Sequence, residues 1–194
     1  MKNALIAVLL TVAALSARAQ DLDKPLLLVA SHDLKGPYHH TALLVVPLSG
    51  RHVGFILNRA TDMTLAKLFP QHAPSAKVAD PVYLGGPEGV NAIFAMVARD
   101  PGGGSIHLFE DVFVTAQAQA VDRIIEQTPN EARYFAGFVG WQPGELAAEL
   151  EKGWWYAAEP DKSTVFERRA DDLWETLVRR LGRPAPAPEG MQAT

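Results

Sequence analysis

The sequence predicts an α+β domain built on a largely antiparallel or mixed sheet. Strand-like runs follow one another through short turns, with few helical patterns between them, whereas a doubly wound sheet would alternate the two. The chain has 194 residues, 48% apolar and 21% charged, which suits one core that needs no staples. No internal repeat is visible.

The elements follow in order along the chain. Residues 26–30 are a continuous apolar run and read as a buried strand. Residues 31–37 contain Asp, Gly and Pro and read as a loop. Residues 41–46 are rich in β-branched side chains, residues 48–51 turn the chain, and residues 52–57 return as the second arm of a hairpin. Thr64 is placed to cap a short helix that presents Leu65, Leu68 and Phe69 and stops at Pro70. Residues 71–81 read as an exposed loop.

Residues 82–84 and 92–98 read as strands around Gly85-Gly86-Pro87. Gly102-Gly103-Gly104-Ser105 reads as a flexible hairpin tip, since a phosphate loop would need a following Lys-Ser/Thr and a strand-to-helix context. Residues 106–109 and 112–115 are strand-like, and residues 116–127 have a helical pattern with Val121, Ile124 and Ile125 on its apolar side. Residues 133–139 form a strand. Pro143 then opens a helix with Leu146 and Leu150 one turn apart, and Gly153 stops it. Residues 154–157 and 164–166 are strand candidates. Asp171 or Asp172 caps a last helix whose Leu173, Trp174, Leu177, Val178 and Leu181 face inward.

Both ends of the chain differ from this pattern. Lys2 followed by an apolar run over residues 4–15 and Ser16-Ala17-Arg18-Ala19 has the form of a secretion signal, cut between Ala19 and Gln20. The run is shorter than the roughly 20 residues of a membrane span. The organisation expected is a signal over residues 1–19, a short linker over 20–25, one domain over 26–182 and a disordered proline-rich tail over 183–194. The location expected is periplasmic or secreted, with no membrane attachment after cleavage; the alternatives are an uncleaved N-terminal anchor and a cytoplasmic protein.

Composition excludes several functions. There is no Cys, hence no disulfide, thiolate metal site or cysteine nucleophile. The net charge is −4. Loss of Lys2 and Arg18 with the signal leaves 16 basic against 22 acidic residues, a net of −6. An acidic chain has no electrostatic reason to bind nucleic acid.

The candidate chemistry is sparse. His32, His39 and His40, with Asp33, could ligate zinc or copper, although adjacent His39 and His40 on a strand would point to opposite faces. No serine lies in a Gly-x-Ser-x-Gly elbow, and Glu149 and Glu151 fall on different helix faces. Gly137-Phe138-Val139-Gly140-Trp141, followed by Pro143-Gly144-Glu145-Leu146, places glycines where a strand passes into a helix. There they permit positive φ or a close approach of backbones. Trp141 reads as core more readily than as the cover of a ligand pocket. Trp154-Trp155 puts one ring on each face of a strand.

These segments resemble the YqgE/AlgH family, bacterial proteins of unsettled biochemical function. The resemblance runs through residues 28–31 and 41–44, Gly54-Phe55-Ile56-Leu57-Asn58-Arg59, and Val82-Tyr83-Leu84-Gly85-Gly86-Pro87. Its most specific part is the run from Gly137 to Leu146 together with Glu149, and it covers about residues 26–182. The resemblance implies a bifurcated, largely antiparallel sheet curled into a pseudo-barrel with flanking helices. It implies no established activity, catalytic residue or cofactor. A label of transcriptional regulator attaches to some members, but no helix-turn-helix pattern is present here.

Departures from the family pattern are the leader, since most members lack one and are cytoplasmic, and Ala60, Glu145 and Ala95-Met96 in place of Pro, Gln and Leu-His. The functional expectation is an exported, non-enzymatic protein that binds a protein partner or small ligand. The surface expected to do so comprises Asn58, Arg59, Gly85, Gly86, Pro87, Gly140 and Trp141. The alternatives are a metal-dependent hydrolase using His32, His39 and His40, and a regulator by family label.

Overall fold

A computed structural model of the chain describes residues 21–182, so the expected leader and tail lie outside the described residues. The apolar run at Leu26–Ala30 is strand β1, each residue 2% exposed or less. It pairs antiparallel with β2 (Ala42–Leu48) on one side and β10 (Trp155–Ala158) on the other. Helix α5 (Leu173–Leu181) lies against β1, β2 and β10 through Leu173, Trp174, Leu177 and Val178, which its spacing puts on one face. The Trp174 indole N–H donates to the Ala30 carbonyl at 2.8 Å, fastening the helix to the end of β1.

Strand β2 turns into β3 (Arg51–Ile56) as the expected hairpin, with Ser49 and Gly50 both at positive φ. Thr64 caps the short α1 (Leu65–Leu68) by accepting the Lys67 N–H, as expected. Beyond lie β5 (Pro81–Leu84), β6 (Glu88–Val97), β7 (Ile106–Phe109) and β8 (Val112–Thr115). They are followed by α2 (Ala118–Gln127), β9 (Ala132–Trp141) and α3 (Glu145–Glu151). The order across the sheet is β10-β1-β2-β3-β9-β6-β8-β7, and it curls into a half-barrel.

The sheet forks at β9. One edge of this long strand pairs with β6. The other edge pairs first with β5, parallel, at Phe135 and Ala136, and then with β3, antiparallel, at Val139–Trp141. The switch falls at Gly137, which has φ 71. There the backbones cross so closely that a Cβ on Gly85 would lie 2.2 Å from the Gly137 carbonyl oxygen. One on Gly86 would lie 2.2 Å from the Phe138 carbonyl. A second apolar cluster under α2 joins Val121, Ile124 and Ile125 to Ala95, Val97 and Tyr134.

Several local expectations are corrected. Residues 71–81 are not wholly an exposed loop: Ala73–Lys77 is a 3-10 turn whose Ser75 is fully buried and bonded to His72 Nδ1 at 2.8 Å. Ala60–Thr64 is a strand, β4, paired with β5; its mostly polar side chains, exposed or half-buried, leave no hydrophobic signal. The Gly102–Gly104 loop is not a hairpin tip, because β8 lies between β6 and β7 in the sheet. The tight hairpin is β7–β8, turned at Glu110 with φ 45. Residues 164–166 are not a strand. Asp161 accepts the Thr164 N–H at 2.8 Å and caps α4 (Lys162–Val165), and this local bond outweighs the β preference of Thr164-Val165.

Candidate functional site

The Gly-aromatic segment builds a polar knot at the end of β9. Gly144 takes φ 87 as the N-cap of α3, and the Glu145 carboxylate accepts the Gln142 N–H at 2.7 Å, closing the turn. One turn on, Glu149 Oε2 accepts two indole N–H groups, from Trp141 at 2.9 Å and Trp155 at 2.7 Å. The indoles are 4% and 5% exposed. Tyr38 stands beside Trp155, ring centroids 6.5 Å apart. Burial pushes the Tyr38 phenol above its usual pKa, the Glu149 and Glu88 charges add to that, and Arg59 opposes it. The residue Gly140 makes room for Glu88, since a Cβ there would sit 2.4 Å from its Oε1.

The other residues of the expected surface hold backbone. Asn58 accepts the Ala42 N–H and donates to the His40 carbonyl, both at 2.9 Å. Arg59 donates to the Pro37 carbonyl at 2.7 Å, so the two side chains together tie the 36–41 loop to the sheet. Gly85 and Gly86 are buried at the fork, and Pro87 is exposed beside them. Trp141 gives its N–H to Glu149 and shows almost no surface.

The three histidines also come together, but around an aromatic ring. His40 stacks on Trp174 at 3.8 Å between centroids, His32 meets the same indole edge-on at 5.2 Å, and His39 lies 4.9 Å from His40. His39 Nδ1 is 2.7 Å from the Gly36 carbonyl. Among the described residues no group of three or more His, Cys, Asp or Glu side chains is placed to hold a metal ion. The geometry therefore lends no support to the metal-dependent hydrolase reading.

The concave side of the sheet contains a different feature. A cleft of about 350 Å³ lies between the β2–β3 wall and the β7–β8 wall. Val46, Val53 and Phe55 line the first wall, Ile106, Leu108 and Val114 the second, with Phe94 and Phe138 between them. Thr115, Gln117 and Arg51 bring the polar groups, and among the described residues Arg51 carries the only charge in the lining. Its guanidinium carbon lies 5.8 Å from the centre of the Phe138 ring.

Comparison with known proteins places this geometry. Residues 27–186 match the profile of a family described as AlgH-like. The chain belongs to the AlgH-like family. A UPF0301 protein of Chlorobium limicola is 30% identical over 162 residues, covering 81% of this chain and 85% of that protein. One of Corynebacterium efficiens is 28% identical over 170 residues, covering 82% and 83%. Among solved structures, a Corynebacterium diphtheriae protein superposes with a TM-score of 0.69 at 22% identity, covering 86% of this chain and 90% of that one. The AlgH protein of Pseudomonas aeruginosa superposes with the same score at 21%, covering 84% and 90%. These structures share the fold.

Two residues of this AlgH-like chain escape a reading of the sequence. Arg133 is 1% exposed, donates to the Val165 and Leu57 carbonyls at 2.5 Å each, and lies 4.1 Å from the Tyr83 ring centre. Burial pushes its pKa down. Arg51 reads in the sequence only as part of a turn. Nothing local to either arginine marks it, because the partners come from distant segments of the chain.

Proposed function

We propose that this AlgH-like protein is an exported, non-enzymatic binding protein that takes a small apolar ligand in the cleft of its half-barrel. The cleft carries the reading. Ligand sites are concave, mostly apolar, equipped with a few polar groups and of about 300–1,000 Å³. At about 350 Å³ the cleft stands at the lower end of that range, with apolar walls and three polar side chains. Export rests on the leader pattern of residues 1–19. No helix among the described residues is long and apolar enough to cross a membrane.

A neutral fluorescent reporter such as N-phenyl-1-naphthylamine tests the cleft. The folded protein binds it with one-to-one stoichiometry, and Val114→Phe, which adds a ring to one wall, abolishes binding while the protein still melts cooperatively. No binding to the parent, or equal binding to the variant, would falsify the reading. Export is tested separately by N-terminal sequencing. The expected mature start is Gln20, from the periplasmic fraction; an intact Met1 or Lys2 on cytoplasmic protein contradicts it.

A further inference from the structure

We infer that the cleft selects a single-chain amphiphile with a carboxylate head, with Arg51 as the head-group partner; this rests on the reading of the cleft as a ligand site. The apolar walls define the tail. A water molecule takes roughly 30 Å³ in the liquid, so the cleft holds about a dozen groups of that size, a chain of about ten carbons. The charge defines the head. Among the described residues Arg51 is the only charged one in the lining, and none of them brings an acidic side chain to the cleft to oppose an anion.

Among the described residues the Arg51 guanidinium has no ion-pair partner, although six other pairs form. It is held over the Phe138 ring, at the start of β3 where the hairpin meets the cleft. An arginine fork matches a carboxylate with two parallel N–H···O bonds. A single cation in the lining matches a singly charged head. A phosphate monoester carries up to two negative charges and finds no second cation here. Thr115 and Gln117 on the facing wall add neutral hydrogen-bonding groups without changing that balance.

Calorimetric titration of the whole protein with decanoate, decanol, decyl phosphate and decylamine is the test, repeated on Arg51→Gln and Arg51→Lys. Decanoate binds the parent at least tenfold more tightly than decanol, Arg51→Gln removes that advantage, and Arg51→Lys retains part of it, as expected for a charge-assisted bond. Decanol binding unchanged by Arg51→Gln shows that the variant is folded and the cleft intact. Equal affinity for decanoate and decanol in the parent overturns the inference and leaves the apolar cleft standing. Tighter binding of decyl phosphate or decylamine overturns the choice of head. Failure of all four ligands overturns the ligand-site reading and this inference with it.

Discussion

Glu149 sets the local order of the Gly-aromatic segment through one oxygen atom. Its Oε2 receives the N–H of Trp141 from β9 and of Trp155 from β10, so two strands and α3 meet at a single acceptor. Removing the carboxylate strands two buried donors, at roughly 1–3 kcal/mol each. Glu149→Ala is therefore expected to lower stability by about 2–6 kcal/mol on that principle, read as a fall in the urea midpoint. A variant that unfolds with the parent would show that water satisfies both indoles. Trp141→Ala deletes a side chain that is 4% exposed and is expected to cost about 3–5 kcal/mol in the same titration. If it melts like the parent, the indole is not core. Trp141 was legible in the sequence because glycines and a following Pro143 fix its setting. Arg133 was not: it lies in a strand-like run, and its carbonyl partners at Leu57 and Val165 are 76 and 32 residues away.

Elements were legible where a one-residue signal agreed with a periodic one. The β2–β3 hairpin and α1 have both, a turn or cap beside an apolar pattern. Helices α2 and α5 rest on the length of their apolar period, since neither Gln117 nor Asp172 makes a side-chain capping bond. The polar β4 has neither, and its pairing comes from β5. α4 has both signals in conflict, and the cap wins. Asp161 accepts bonds from Ser163, from the Thr164 N–H and from the Thr164 hydroxyl. Burial acts to raise its pKa, but the bonds from Ser163 and Thr164 outweigh that and hold the carboxyl below its usual value. A carboxyl with a depressed folded pKa contributes stability fully above its unfolded pKa of about 3.9 and loses it as pH falls through the folded value. Asp161→Ala is expected to cost about 1 kcal/mol at pH 7, a typical loss for a helix cap. The difference from the parent should shrink as pH falls below about 4. Urea titrations at neutral and acid pH check this, and an undiminished difference in acid would mean that the carboxylate charge plays no part.

At the scale of the whole molecule, the fork at β9 gives one strand partners from β3, β5 and β6 and bends the sheet around its concave side. The α+β class followed from runs of strands, and the resemblance supplied the bifurcated sheet. The cleft was not legible, because an inward-facing apolar residue reads the same whether the space before it is filled or hollow. Val46 and Val53 are paired neighbours on one wall and Val114 lies on the other; all three are buried as core residues are, and only the geometry shows the gap between the walls. The central claim is that this gap receives a ligand. Methyl chemical shifts recorded while the protein is titrated with decanol test it most directly. The account predicts saturable shifts confined to Val46, Val53, Leu108 and Val114, with Val121 and Ile125 of α2 unmoved. Shifts centred on Val121 and Ile125, or none at any methyl up to the solubility of the alcohol, would contradict it.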